Sequence, residues 1–438
     1  MSTPATGLLI AGGGAAGMVA ALAARAAARL RRLPDHRFPV VILERNAAPG
    51  AKIAISGGGR CNLTHDGSPA ELLEKGFLRR EEQRFLRHAF HAFTGTDLLG
   101  LLGRYGLQCA ARPDGKFFPE AGKGAPDVVQ AFIRMLRDSA VTLVTSCTIS
   151  EVACSDGVFR VGAGDRTFTG AALILATGGV SWPSTGSTGD GLRFARKLGH
   201  TITKPSPALA PLFTVVKPPA ELAGVSLRSV ALIASAPGRQ ASRKGDILFT
   251  HRGLSGPAVL SLSRDIAMLL KECETCALYA DLFADLSQEA TGEMLLSEAR
   301  RNGSRLVRSF LSHCSGAFPA SLAPFIMTGA GIPDGQRLSG LSRAQRVALQ
   351  TVLKRFPLGS VKAVPLEQGE VSAGGVPLCD VNPKTMESRL VPGLFFAGEI
   401  LDYTGEIGGF NLQAAFSTGW LAGQEAAGRR QEPECRRP

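Results

Sequence analysis

The run Leu8-Leu9-Ile10-Ala11-Gly12-Gly13-Gly14-Ala15-Ala16-Gly17, followed by the alanine-rich stretch Met18 to Leu30, constrains this chain more than any other segment. A short apolar run ends in a glycine cluster, and a stretch of high helix propensity follows. That order predicts strand, tight turn and helix, with Gly12, Gly14 and Gly17 in the G-x-G-x-x-G spacing of a dinucleotide-binding unit. Gly12 permits the turn, Gly14 leaves room for a pyrophosphate, and Gly17 lets the helix lie close on the strand. The phosphates would meet free N–H groups around Ala15 and Ala16, at the positive end of the helix. A second apolar run, Val40-Val41-Ile42-Leu43, ends in Glu44, the acid that such units use for ribose hydroxyls. The arginine-rich insert Arg29 to Arg37 accounts for its late position. Arg45 joins the expected cofactor-binding set.

A chain of 438 residues has room for two or three domains with sizeable cores. No window has the apolar length of a membrane span and no charged-apolar-cleavage pattern marks a leader, so a cytoplasmic protein with no membrane partner is expected. Nine cysteines, odd in number and scattered, suit a reducing compartment. Cys273 and Cys276 form the one C-x-x-C, with no second pair or nearby histidines, so no metal is expected. The net charge of +12 comes largely from arginines at 25–37, 79–87, 300–308 and in the tail. Acids lie among several of these, without the aromatic interleaving of a base-stacking surface. A solvated surface is the expectation and nucleic acid is not an expected partner.

Further along, Lys52 leads into Ser56-Gly57-Gly58-Gly59-Arg60-Cys61-Asn62, a loop dense in donors that suits phosphate, ribityl or isoalloxazine contact. Lys52 and Arg60 bring positive charge for phosphates, and Cys61 is a redox candidate beside a flavin. Strands around 141–161 form the meander that follows the third crossover of such folds, with Ile149 at the adenine. A buried strand then ends in Thr177-Gly178-Gly179. Trp182 is a candidate to stack near the ring, and Asp190 is an expected N-cap. From about 203 to 284 short strands predict an inserted antiparallel barrel. Within it His251 is a candidate acid/base, and Ser255 an expected cap of the helix begun by Pro257. Helices follow over 285–357. The fold resumes over 358–428 with Gly398-Glu399 and the turn Gly408-Gly409-Phe410-Asn411-Leu412, placed to hold ribityl and pyrophosphate and to aim a helix dipole at the flavin. The basic tail 429–438 is expected to be mobile.

The runs Ile55–Asn62, Ala176–Gly179, Thr188–Gly191, Phe249–His251 with Gly253–Pro257, and Ala397–Glu399 with Gly408–Gln413 resemble the BaiN/YhiN family of FAD-binding flavoproteins over nearly the whole chain. The resemblance implies an α/β fold: a two-dinucleotide-fold (Rossmann-like) FAD domain, 1–202 and 358–428, interrupted by a barrel and a helical subdomain. It also implies an FAD-dependent oxidoreductase. The leading expectation is NAD(P)H-dependent reduction of an activated C=C bond in a small hydrophobic substrate. The alternatives are an O₂-using amine oxidase of aminoacetone-oxidase type, and a flavoprotein acting on RNA or a protein partner. No second G-x-G-x-x-G is present for the nicotinamide.

Overall fold

The structure, a computed structural model, describes residues 7–313 and 318–429. Two compact units result: one takes the chain up to Ser206 and again from Glu370, the other is Pro207–Gly369. In the first, the apolar runs become β1 (Leu8–Ala11) and β2 (Val40–Leu43), joined by α1 (Ala15–Leu30). The short α2 (Ala51–Ile55) and the amphipathic α3 (Arg80–Ala92) follow, then β3 (Thr142–Val144), β4 (Ala172–Leu175) and α4 (Asp190–Lys197). Between β3 and β4, Glu151–Ser155, Val158–Ala163 and Arg166–Gly170 form an antiparallel meander. Arg25, read from sequence as one of a solvated group, is buried. Its guanidinium pairs with Asp35 and donates to the carbonyls of Phe38 (2.9 Å) and Ser139 (3.1 Å), pinning the insert.

The second unit holds a closed barrel. Its strands are β5 (Leu212–Thr214), β6 (Ser226–Ala236), β7 (Arg239–Thr250), β8 (Gly253–Ser255), β9 (Cys276–Asp281) and β10 (Phe356–Ala363), in the order β5-β8-β7-β6-β9-β10. The closing strand corrects the sequence expectation, because the boundary at 357/358 falls inside it. Closure needs a sixth strand that pairs with both β5 and β9, and β10 supplies it after the helices. Nor do the helices stand apart: Leu295, Phe310, Ile326 and Leu349 share one apolar core with barrel residues such as Leu232 and Leu278. Ser255 ends β8 rather than capping α5 (Pro257–Leu269), whose N-cap is Gly256 at φ +98.

The chain then returns to the first unit as β11 (Leu394–Phe396) and α6 (Phe410–Gly428). The parallel sheet runs β11-β4-β1-β2-β3. Its strands are short and mostly apolar on both faces, as a sheet covered by helices requires. Helices α1 and α6 meet along a seam of small residues. A Cβ on Gly419 would stand 2.3 Å from the Ala16 carbonyl oxygen, and one on Gly423 2.1 Å from that of Ala20. The two separated chain segments thus build one core. Arg429 is tied to Glu387 at 3.0 Å, so it is not part of a free tail; 430–438 lie outside the described residues. Among the described residues no helix is long and apolar enough to cross a membrane.

Candidate functional site

The expected cofactor residues gather at the C-terminal ends of β1, β2, β4 and β11, where an open parallel sheet places its ligand. Between β1 and α1 the chain turns at Gly12 (φ +103), where a Cβ would lie 2.5 Å from the Ala176 carbonyl oxygen. Gly17 is closer still, its Cβ position 1.9 Å from the Gly12 carbonyl oxygen. Gly14 differs: nothing lies within 4 Å of where its Cβ would be. It starts α1 without a side-chain cap, and the first helical bond runs from Met18 N–H to Gly14 at 3.0 Å. The N–H groups of Ala15, Ala16 and Gly17 precede that bond and have no helical acceptor.

At the end of β2, Glu44 is buried and its carboxylate accepts the N–H groups of Gly13 (2.7 Å) and Asn46 (2.8 Å). Each oxygen keeps a lone pair for a ribose hydroxyl. The Cys147 N–H donates to the Glu44 carbonyl at 2.8 Å, which brings the buried Ile149 to this corner. Arg45 pairs with Asp190, which also accepts from the Thr188 hydroxyl (2.8 Å) and Arg193 (3.2 Å). Partial burial pushes the Asp190 carboxyl up, but those three donors outweigh it and hold it below the usual range. The side chain is turned to these partners, so Gly189 (φ +81), not Asp190, is the N-cap of α4.

At the other end, Lys52 and Glu399 meet. Lys52 Nζ donates to Glu399 (2.8 Å) and to the buried Ser181 hydroxyl (2.9 Å). The same carboxylate accepts from Ser181 Oγ (3.1 Å), Ser372 N–H (2.8 Å) and Ser372 Oγ (3.1 Å). Lys52 is therefore paired with a protein carboxylate, and Glu399 fastens together α2, the Ser181 turn and the strand Val371–Gly375. Thr177, Gly178 and Gly179 lead β4 into this network. Trp182 follows it at φ +51 and ψ +64, 38% exposed, directly before Pro183. Both its bulk and the following proline disfavour that backbone conformation. The Thr185 N–H (2.9 Å) and hydroxyl (2.8 Å) hold the turn by donating to the Trp182 carbonyl.

Ser56 donates its hydroxyl to the Ile53 carbonyl (2.7 Å), and Gly57 and Gly58 then adopt φ of +57 and +65. Gly58 and Gly59 face open space, and Arg60 is exposed. Cys61 is fully buried and burial pushes its thiol up to about 11, so it is no thiolate at neutral pH. Asn62 lies against the start of α6: a Cβ on Gly409 would be 2.9 Å from its Oδ1. Asn411 Oδ1 accepts the Gly405 N–H and its Nδ2 donates to the Gly405 carbonyl, both at 2.8 Å, so its amide shapes the turn around Gly408. Leu412 is half-buried. Phe410 stacks on His65 (5.2 Å, 14°), a residue sequence reasoning passed over although it follows the Gly57–Thr64 run directly. Gly398 closes the middle, its Cβ position 2.9 Å from the Ala16 Cβ.

The donors fit a dinucleotide. Open approach at Gly14 suits the pyrophosphate, and the Thr177 hydroxyl oxygen and Asn62 Oδ1 are buried with no partner in the protein. His251 is exposed on the turn between β7 and β8 of the second unit. Cys273 and Cys276 donate to different carbonyls, of Leu269 and Ser235.

The profile of the family described as HI0933-like protein Rossmann domain matches residues 6–425. The chain belongs to this family. It is a Rossmann-fold flavoprotein of the oxidoreductase class. Relatives of the HI0933-like chain include the 3-dehydro-bile acid delta(4,6)-reductase of Clostridium scindens, 33% identical over 96% of this chain and 98% of the other. The ribosomal RNA dihydrouridine synthase of Escherichia coli is 31% identical over 95% and 97%. The 3-ketosteroid delta1-dehydrogenase of Sterolibacterium denitrificans matches in fold, at a TM-score of 0.53 and 13% identity, over 97% of this chain and 100% of that one.

Proposed function

We propose that this protein is an FAD-dependent reductase of a C=C bond conjugated to a carbonyl, with NAD(P)H as electron donor. The observation that carries this is the full-length similarity to two relatives whose named reactions converge on one bond type. A 3-oxo group conjugated to a Δ4 double bond and the C5=C6 bond of a uracil beside its C4 carbonyl are both electron-poor at the β-carbon. Each takes a hydride there and a proton at the neighbouring carbon.

FAD, when bound, supplies hydride chemistry. The chain's own part is positioning. Gly14 and the first N–H groups of α1 would hold the pyrophosphate, and Glu44 the ribose. The start of α6, with Asn62 and Gly409 against each other, would present N–H donors and a positive dipole end to the ring edge. The Lys52–Glu399–Ser181–Ser372 network fixes the loops that border it. The small hydrophobic acceptor expected from sequence remains one substrate reading, and a uracil in RNA is the other.

The test is anaerobic mixing of the oxidised holoprotein with NADPH and NADH in turn, followed by addition of a Δ4-3-oxosteroid or, in a parallel run, a uridine-containing RNA. Bleaching by a nicotinamide and re-oxidation by either acceptor support the reading. A protein that is bleached and then re-oxidised by O₂ but by neither acceptor defeats it.

A further inference from the structure

We propose that the exposed face of α3 is an RNA-binding surface that delivers a uracil base to the crevice. This rests on the reductase reading and names its substrate class.

Arg80, Arg84, Arg87 and His91 recur at i, i+4, i+7 and i+11 and so lie on one stripe of the helix, with His88 at its edge. All five are exposed, while Phe85, Leu86, Ala89 and Phe90 on the opposite face are buried. From sequence the acids here read as interspersed with the arginines, and the patch as a solvated surface. The fold separates them. Glu82 is fully buried and turned to the Thr404 N–H (2.9 Å) and Arg79 (2.6 Å). Glu81 is tied to Arg79 at 3.1 Å. Among the described residues no carboxylate is within ion-pair distance of Arg80, Arg84 or Arg87, so the stripe carries net positive charge.

At the start of the helix that charge is opposed rather than favoured. Arg80 stands in the first turn, the end where the helix dipole disfavours a cation. The stripe is about 16 Å long at 1.5 Å per residue. Over that length a nucleic-acid strand, with a phosphate about every 3.4 Å of axis, presents several charges.

Position links the stripe to the crevice. Arg79 donates to the Asp402 carbonyl at 3.1 Å, and the Gly76 carbonyl accepts the Glu406 N–H at 2.7 Å. Residues 402–406 lead directly into the Gly408–Gly409 turn that starts α6. A strand lying along α3 therefore reaches the crevice rim at its Arg80 end.

The test uses the oxidised, FAD-loaded full chain and a fluorescein-labelled, uridine-rich RNA oligonucleotide, with affinity measured against salt. For single strands the slope of log K against log salt is about −0.7 per phosphate neutralised. Arg80→Gln with Arg84→Gln and Arg87→Gln should make the slope shallower by about 2. Between 50 and 200 mM salt the wild type then loses roughly 18-fold more affinity than the variant. A charge-matched control, Arg29→Gln with Arg32→Gln and Arg37→Gln, should leave the slope unchanged. Equal loss in both variants, no RNA binding by the wild type, or retention on phosphatidylserine vesicles in place of RNA overturns the proposal. Nicotinamide bleaching is recorded on the same samples. Bleaching without RNA binding fails this proposal and leaves the reductase reading standing; stripe-dependent binding without bleaching by either nicotinamide does the reverse.

Discussion

Gly423→Ala probes the joint that makes one domain from two chain segments. The new methyl would sit 2.1 Å from the Ala20 carbonyl oxygen, whereas ordinary contact begins at 3.4 Å. The neighbour is backbone in the middle of α1, so no side chain can swing away. Relief requires α1 and α6 to part by about 1.3 Å. Overpacking of this kind costs about 1–3 kcal/mol, occasionally more. Helix propensity works the other way, favouring alanine over glycine by about 1 kcal/mol in a helix interior. The expected net effect is a loss of roughly 1–2 kcal/mol, at the upper part of the overpacking range. Gly100→Ala is the internal control. It too sits inside a helix, Gly95–Arg104, but nothing lies within 4 Å of its Cβ position. It should gain about 0.5–1 kcal/mol. Urea denaturation read by far-ultraviolet circular dichroism compares the two. Opposite signs are expected. If Gly423→Ala stabilises as Gly100→Ala does, the close seam is wrong. Gly419→Ala, one turn earlier on the seam, should combine with Gly423→Ala less than additively, because one parting of the helices relieves both contacts.

Other outcomes follow from the crevice and its surroundings. Lys52→Met leaves the Glu399 carboxylate with neutral donors only and should destabilise the protein by about 1–3 kcal/mol, read by thermal melting. Asp190 is held below its ordinary value of 3.8, so its stabilising contribution is present above that value and is lost as pH falls through its lower, folded-state one. Asp190→Asn should accordingly narrow the difference in melting temperature from wild type on acidification below pH 4; a difference that widens there contradicts the assignment. In native protein at neutral pH a maleimide should modify the exposed Cys379 well before the buried Cys61, with peptide mapping as the readout.

Much of the first unit was legible because its signals are local. Apolar runs of four residues, a glycine spacing and an acid at a strand end are all read along the chain, and β1, α1, β2 and Glu44 stand where those features put them. The resemblance to a flavoprotein family also carried through: most of its motifs lie in the crevice-forming turns, and Phe249–His251 with Gly253–Pro257 lie in the barrel. What sequence missed depends on partners far apart in the chain. Lys52 is paired with Glu399, from the other end of the chain, a partner no local pattern supplies. Asp190 and Ser255 had the chemistry of helix caps, but Arg45 claims the first and strand β8 the second. The barrel's sixth strand was cut by a boundary because it follows 70-odd residues of helical pattern, and only pairing with β5 and β9 assigns it. Charge patterning misled in the same way. Along the chain Glu81 and Glu82 dilute the arginines of α3, whereas in the fold Glu82 is buried and the exposed Glu81 is paired with Arg79.

The central claim is that the glycine turn after β1 and the start of α6 grip one dinucleotide between them. The most direct measurement is an FAD titration of the apoprotein, run on wild type and on Gly14→Val, whose side chain would enter open space in the fold and the pyrophosphate's place in the complex. Saturation at one FAD per wild-type chain, with affinity lost in a variant that melts as the wild type does, is the predicted result. Unchanged FAD affinity in Gly14→Val, or a wild-type chain that takes up no FAD, would contradict it.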